Sequence, residues 1–404
     1  MSQRALLALL AALAVLAVLV VWSQRASTPP SAEGGKILPD LQAALNDIDK
    51  VTVVKGGGTV VATLDRQPDK WTVMERGGYP ADVGKLRKNL LALAEARILE
   101  QKTSNPDNYD RLGVQDIDNK TAKGVAISFA AANRKLPTLI IGNAEGTKYR
   151  YVRRAGEAPS FLIDRDPDLP HDTAQWLDPI IVDVQPNRVQ QVTIHHSDGE
   201  TLIVEKADRA ATNFTVQDVP KGRELLYPGV ANVIGNSLRQ LNLSDVEPLG
   251  QAAGEPAVTV EFRTFDGLVI KVDGFKTDDK NWLTFNAAFD ADQAKRFAPP
   301  PAKATDQAKT AEQAKPAEAA ASADGSATDE KPASAASAEK PSTPSPDVAA
   351  EAADINRRVS NWRYQIASYQ YDQMTRRMTD LLKPKEEPKK AQDQAKNPAA
   401  TKKK

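Results

Sequence analysis

Asp49-Lys50-Val51-Thr52-Val53-Val54 and Gln190-Gln191-Val192-Thr193-Ile194-His195 are one pattern written twice. Each alternates toward an apolar side chain at every second position, as a half-buried strand requires. The echo extends outward from both. Trp71-Thr72-Val73 answers Phe214-Thr215-Val216, and Tyr79-Pro80 answers Tyr227-Pro228 just ahead of a helical pattern. That pattern sets Val83, Leu86, Leu90 and Leu93 on one face in the first half, and Val230, Ile234, Leu238 and Leu241 in the second. Val125–Phe129 then matches Val258–Phe262, followed by a returning strand ending at Gly142 or Gly274. Tyr149–Val152 next matches Trp282–Phe285. Residues 45–180 are thus matched, element by element, within residues 183–382. Connections between the strands are too short for parallel crossovers. The expected fold class is α+β: two tandem copies of a mostly antiparallel sheet with a packed helix, behind an N-terminal transmembrane helix.

The second copy is interrupted. From Ala298 to Pro346 the chain has 16 Ala and 8 Pro in 49 residues and no Leu, Ile, Val or aromatic residue, so this tract has nothing with which to build a core. Beyond it, Asn361–Ile366 reads as a strand and Gln373–Leu382 as a short helix, in the order of strand Ser160–Ile163 and the helical segment Asp172–Asp178 of the first copy. The second copy is therefore expected to comprise 183–297 plus 355–382, with 298–346 as a disordered insertion in one of its loops. A long loop is tolerated because closure entropy grows slowly with length. The other reading makes Asp347–Leu382 one separate amphipathic helix. Residues 383–404 have the composition of a solvated, disordered Lys-rich tail.

Ala5–Trp22 is 18 residues without a charge, Gly or Pro. At helical rise it spans roughly 27 Å, close to the thickness of a hydrocarbon core. The run ends in Trp22-Ser23-Gln24-Arg25 without a small-x-small cleavage box, which favours an uncleaved anchor over 1–25, followed by a linker over 26–44. If the anchor acts as a signal for export, the polar body is expected on the periplasmic side of the inner membrane. The chain has no Cys, which is compatible with an oxidising envelope compartment. Its 53 basic and 53 acidic residues cancel, so no global field draws it to nucleic acid.

Candidate chemistry is sparse. Gly56-Gly57-Gly58 resembles a phosphate loop, but a strand follows it where a helix N-terminus is needed, so it reads as a hairpin turn. His195 and His196 are adjacent on a strand and point to opposite faces, and His171 stands in a Pro-rich turn. His196-Ser197-Asp198 contains triad residue types, yet Ser197-Asp198-Gly199 is better read as a turn. Asp164-Arg165-Asp166-Pro167-Asp168 opens like a calcium loop, with Leu169 where Gly is needed and Gln175 where the bidentate Glu is needed. No catalytic, cofactor-binding or metal-binding residue is assigned. Aromatics gather late, at Trp362, Tyr364, Tyr369 and Tyr371, with Arg357, Arg358 and Arg363 nearby. This is either a core-facing aromatic strand or a partner-contact surface formed by Trp362, Arg363 and Tyr364. Unpaired sheet edges are the other expected contact surfaces.

Taken together, the anchor, the Trp71-Thr72-Val73 strand, the Tyr79-Pro80-Ala81-Asp82 helix entry, Tyr109-Asp110-Arg111-Leu112-Gly113-Val114 and Thr138-Leu139-Ile140-Ile141-Gly142 resemble an uncharacterised bacterial family, domain of unknown function 4340. The resemblance covers roughly residues 40–295 and resumes at 355–382; the inserted tract has no counterpart in it. Members of that family tend to be encoded beside an ABC transporter and a gliding-motility-type auxiliary protein. The resemblance therefore implies a non-enzymatic, membrane-anchored accessory protein whose partner is a transporter permease or auxiliary subunit, with no cofactor. The alternative is an envelope enzyme or binding protein acting on a glycan or lipid-linked substrate in a groove between the copies.

Overall fold

The computed structural model describes residues 33–132, 134–250, 254–277, 279–298 and 347–384. The expected anchor at 1–25, nearly all of the inserted tract and the tail beyond Pro384 lie outside the described residues. Among the described residues no helix is long and apolar enough to cross a membrane.

The first half opens with α1 (Leu41–Ala44), β1 (Ile48–Lys55), β2 (Thr59–Arg66), β3 (Trp71–Val73), β4 (Tyr79–Pro80) and α2 (Val83–Glu95). It continues with β5 (Ile98–Gln101), α3 (Tyr109–Leu112), β6 (Val125–Ala131), β7 (Leu139–Glu145), β8 (Tyr149–Arg154) and β9 (Ser160–Ile163). The second half holds β10 (Ile180–Val182), β11 (Val189–His196), β12 (Thr201–Glu205), β13 (Thr215–Val216), α4 (Asn232–Gly235), β14 (Leu241–Asn242) and β15 (Asp245–Pro248). After it come β16 (Val258–Thr264), β17 (Leu268–Thr277), β18 (Lys280–Phe289), α5 (Ala291–Arg296), α6 (Val348–Val359), β19 (Trp362–Ile366), α7 (Ser368–Met374) and α8 (Met378–Leu381).

The sheet order is β4-β3-β2-β1-β6-β7-β8-β9-β5 in the first copy and β13-β12-β11-β16-β17-β18-β19-β15 in the second. With the two-residue β4 set aside, the orders agree strand for strand. The register of the central pair agrees too. Val51 faces Phe129 and Val53 faces Ile127; Val192 faces Phe262 and Ile194 faces Val260. Even the register shift between Ile48 and Lys50 recurs between Val189 and Gln191. The fold is α+β with two large antiparallel sheets, and both contribute side chains to one contiguous main core, with a smaller cluster on the other face of the first sheet.

The copies close in the same way. Ala81 bridges Leu177, flanked by Asp82 N to Trp176 O and Asp178 N to Pro80 O; Leu225 bridges Leu382, flanked by Leu226 N to Leu381 O and Lys383 N to Glu224 O. This corrects the match of Tyr79-Pro80 to Tyr227-Pro228: Tyr79 is buried, Tyr227 is 59% exposed, and the equivalent of Pro80 is Glu224. It also places Lys383, expected in the solvated tail, in the closing contact.

Two further boundaries differ from expectation. Residues 36–44, read as linker, contribute Ile37, Leu38, Leu41 and Ala44 to the core, because the alternation test is blind to a short irregular apolar run. The second copy resumes at Asp347, not 355. There α6 begins, with the Asp347 carboxylate accepting from the N–H groups of Ala349 and Ala350. This helix buries Val348, Ala352, Ile355 and Val359, and the Asn356 amide pairs with both backbone groups of Ala287 at 2.8 and 2.7 Å. Because β19 follows at Trp362, residues 347–382 are not one helix.

The two expected helices also differ. Asp82 caps α2 by accepting from Lys85 N at 2.8 Å, and Leu86, Leu90 and Leu93 are buried; Val83, in the first turn, is 42% exposed. Of the expected second-copy helix, only Asn232–Gly235 is α-helical. Backbone bonds from Val230 to Tyr227, Asn232 to Gly229, Ile234 to Ala231, Ser237 to Ile234 and Arg239 to Asn236 wind the rest tighter, with three-residue spacing. Gly235-Asn236-Ser237 are weak helix formers. A Cβ on Gly235 would meet the Phe214 ring at 2.2 Å, so packing dictates the glycine. Val230, Ile234, Leu238 and Leu241 are nonetheless all buried.

Candidate functional site

The residues that sequence reasoning proposes for partner contact form part of the seam between the copies. Tyr364 is 1% exposed and Trp362 half-buried on β19. Tyr79 of β4 inserts against both: its ring centroid lies 5.1 Å from that of Trp362 at 87°, and 6.1 Å from that of Tyr364 at 78°. Phe285 continues the stack 5.7 Å from Tyr364. Edge-to-face contacts of this kind are the favoured aromatic geometry. Burial raises both phenols above the ordinary tyrosine range. Tyr364 therefore cannot meet a partner directly. The core-facing reading of this strand applies, since β19 is flanked by β18 and β15 and its inward side faces the other copy.

Charged groups clamp the same seam. The Arg76 guanidinium donates to Asp245 from Nε at 2.6 Å and Nη2 at 2.9 Å, and this hydrogen bond holds Arg76 above its ordinary pKa. Beside it, within the second copy, Arg363 donates to Glu247 at 3.0 and 2.5 Å and lies 4.7 Å over the Trp282 ring. Gly77 has φ 62° and sits so near Pro248 that an added Cβ would approach its Cγ to 2.7 Å. Sequence reasoning missed Arg76 and Gly77 as partners of β15 and Tyr79 as a partner of β19, because nothing local couples positions so distant in the chain.

Sheet edges, the other expected contact surface, are largely covered. Along β5, Gly34 N donates to Ile98 O at 2.8 Å, Ile98 N to Gly35 O at 2.9 Å and Ile37 N to Ala96 O at 3.0 Å. β13 has two residues, and β15 faces the Arg76 turn. Short or covered edges resist strand addition.

The remaining motifs are held in local structure. Gly57 and Gly58 donate their N–H groups to the carbonyls of Asn119 and Ile117, both at 3.0 Å, so the glycine turn has no amides of that pair to offer an anion. His195 contacts Thr201 at 3.0 Å, whereas His196 faces the Arg376 carbonyl at 3.4 Å on the other side of the strand. Burial, then Lys55, lowers the pKa of His171. Ser197-Asp198-Gly199 is a turn with Gly199 at φ 94°, and Arg377 bridges Asp198 and Glu200. Asp164 accepts from Arg97 N at 2.8 Å while Asp166 pairs with Arg150 at 2.5 Å, so the two carboxylates diverge. Among the described residues no three His, Asp or Glu side chains gather around one ion-sized space.

Tyr109–Val114, part of the family resemblance, lies on the opposite side of the first sheet from α2, over Ala126 and Ile140. One buried side chain holds it there. Arg153, 2% exposed, donates from Nε to Val114 O at 2.8 Å, from Nη1 to Glu157 O at 2.9 Å and from Nη2 to Asp116 at 2.5 Å. Its guanidinium also lies 4.5 Å from the Tyr109 ring centroid, and Tyr109 Oη donates to Ala158 O at 2.5 Å. Gly142 and Gly124 let the loop approach: a Cβ on either would come within 2.3 Å of the carbonyl oxygens of Leu112 and Gly113. The motif thus builds a loop tied onto a sheet face. Arg153 was not singled out from sequence, where it stands in a strand as one arginine of a pair.

No curated protein matches the chain, and no solved structure does. Residues 71–260, from the Trp-Thr-Val strand into β16, match the family model described as Domain of unknown function (DUF4340), so this stretch is similar to that family.

Proposed function

We propose that the chain is a non-enzymatic accessory scaffold of an ABC transporter system. In this reading Ala5–Trp22 anchors it to the inner membrane, and the duplicated body stands on the periplasmic side for protein–protein interaction. The observation that carries the reading is the duplication: eight strands recur in one order, with the central pair in the same register, and among the described residues no cluster of titratable side chains recurs with them. Enzyme folds concentrate perturbed, converging polar groups at one place. Here the polar side chains of the seam and of the Tyr109–Val114 loop are engaged in pairwise structural contacts. The glycan alternative puts its substrate between the copies, where Tyr79, Trp362 and Tyr364 fill the seam.

The test is affinity purification of the full chain from native membranes in a mild detergent, with and without a chelator. Co-purification of a transporter permease or auxiliary subunit in both conditions is the expected result. Repeated recovery of no membrane protein, together with turnover of an envelope glycan by the purified chain, would overturn the proposal.

A further inference from the structure

The apolar side of α2 does not end at the core. Leu86, Leu90 and Leu93 are buried, whereas Val83 and Leu91 remain 42% and 44% exposed. Val83, Arg87 and Leu91 follow one another at four-residue spacing and so form a line along the helix. Beside that line, Leu45, Trp71, Leu86 and Leu90 floor an open groove of about 280 Å³, with Arg66 and Asn46 on its far side.

Shape and charge point to the same occupant. A helix surface with apolar side chains at four-residue spacing presents ridges into which a second helix packs. Neither guanidinium at the groove has a carboxylate partner among the described residues: Arg66 donates only to the carbonyls of Asn46 and Ile48, and Arg87 makes no hydrogen bond or ion pair. The neighbouring Lys85, by contrast, is engaged with Asp82 and the Gln175 carbonyl. Nor does the fold itself demand this groove. At the equivalent place in the second copy the helix is four residues long, and Val230, Ile234 and Leu238 are all buried.

We infer that this groove receives an acidic amphipathic helix of a partner protein, its apolar side chains on Leu45, Trp71 and Leu90 and its carboxylates on Arg87 and Arg66. Helix-in-groove recognition uses anchors at such spacing, and complementary charge fixes register. The inference deepens the scaffold reading and rests on it for the existence of a protein partner.

The probe is a fluorescein-labelled helical peptide of about five turns, with Leu along one face and Glu flanking it, beside a Lys-for-Glu version and a scrambled one. Binding to the full chain in mild detergent is read by anisotropy. The Glu peptide should bind saturably and the scrambled peptide should not. Arg87→Glu should weaken the Glu peptide by about tenfold or more and shift preference to the Lys peptide. Leu91→Glu should abolish binding of the Glu peptide. Both positions are exposed, so melting temperatures should stay at the wild-type value, which separates lost binding from lost folding. Equal binding by wild type and Arg87→Glu would overturn the inference. So would Leu91-dependent binding to anionic phospholipid vesicles without peptide binding, or self-association that Leu91→Glu dissolves. If transporter subunits co-purify undiminished with Leu91→Glu, the groove assignment fails while the scaffold reading stands. If the peptide binds as expected but wild type recovers no transporter subunit, the transporter reading fails instead.

Discussion

Replacing Leu93 by alanine in one copy, or Leu238 in the other, should cost nearly the same stability, although Leu93 sits in a 13-residue α-helix and Leu238 among three-residue turns. Both side chains are 0% exposed. Each substitution removes three buried carbons at roughly 0.8 kcal/mol apiece, about 2.4 kcal/mol of transfer free energy. The cavity left behind brings the total to about 3–4 kcal/mol. Helix propensity favours alanine over leucine by only a few tenths of a kcal/mol, too little to separate the two sites. Leu91→Ala, two residues from Leu93 but 44% exposed, should cost under about 1 kcal/mol. The assay is urea unfolding of the full chain in mild detergent, followed by tryptophan fluorescence and compared at constant slope. Because both copies share one contiguous core, either core variant should lower a single common transition. A cost below about 1 kcal/mol for Leu238→Ala, beside the expected cost for Leu93→Ala, would mean that helix formation rather than burial sets the magnitude. Two separate transitions would refute the shared core.

Arg153→Met should destabilise by about 2–3 kcal/mol, because it strips the donor from the Val114 and Glu157 carbonyls at a buried site. It should also speed hydrogen exchange selectively over residues 109–116, and unchanged exchange there would refute its role as the loop's tie. Asp266 titrates below the usual carboxylate range: burial pushes it up, but the Thr264 hydroxyl and the Arg188 guanidinium outweigh that. Its contribution is therefore present above the unfolded value near pH 3.9 and lost as pH falls through the lower folded value. Melting temperature should accordingly fall more steeply below about pH 4 in wild type than in Asp266→Asn, and parallel curves would remove this carboxylate from the acid response. Replacing residues 299–346 by a short Gly/Ser bridge should shift the melting temperature by no more than about 2 °C, since that sequence carries no large apolar side chain to bury. A cooperative loss of stability would show that the tract packs.

Strand identity was legible in the chain because a half-buried strand writes itself locally, with a period of two; β1 and β11, β6 and β16, and β8 and β18 all stand where alternation places them. That the two copies share one series of elements also followed from the duplication, whereas the order of the strands within each sheet came only with the structure. Helix length did not follow. The same apolar spacing supports an α-helix at Val83–Glu95 and tight turns after Pro228, and the choice depends on Phe214 packing against Gly235. Nor could the sequence say what Trp362 and Tyr364 face, because their neighbour Tyr79 is brought to them by the docking of two sheets. The same holds for Arg76 with Asp245 and for Arg153 with Val114. Periodicity records which way a side chain points relative to its own backbone, and the sequence alone determined that much. Which distant residue waits there is decided only when the strands are assembled, since those contacts depend on tertiary geometry that no local pattern encodes.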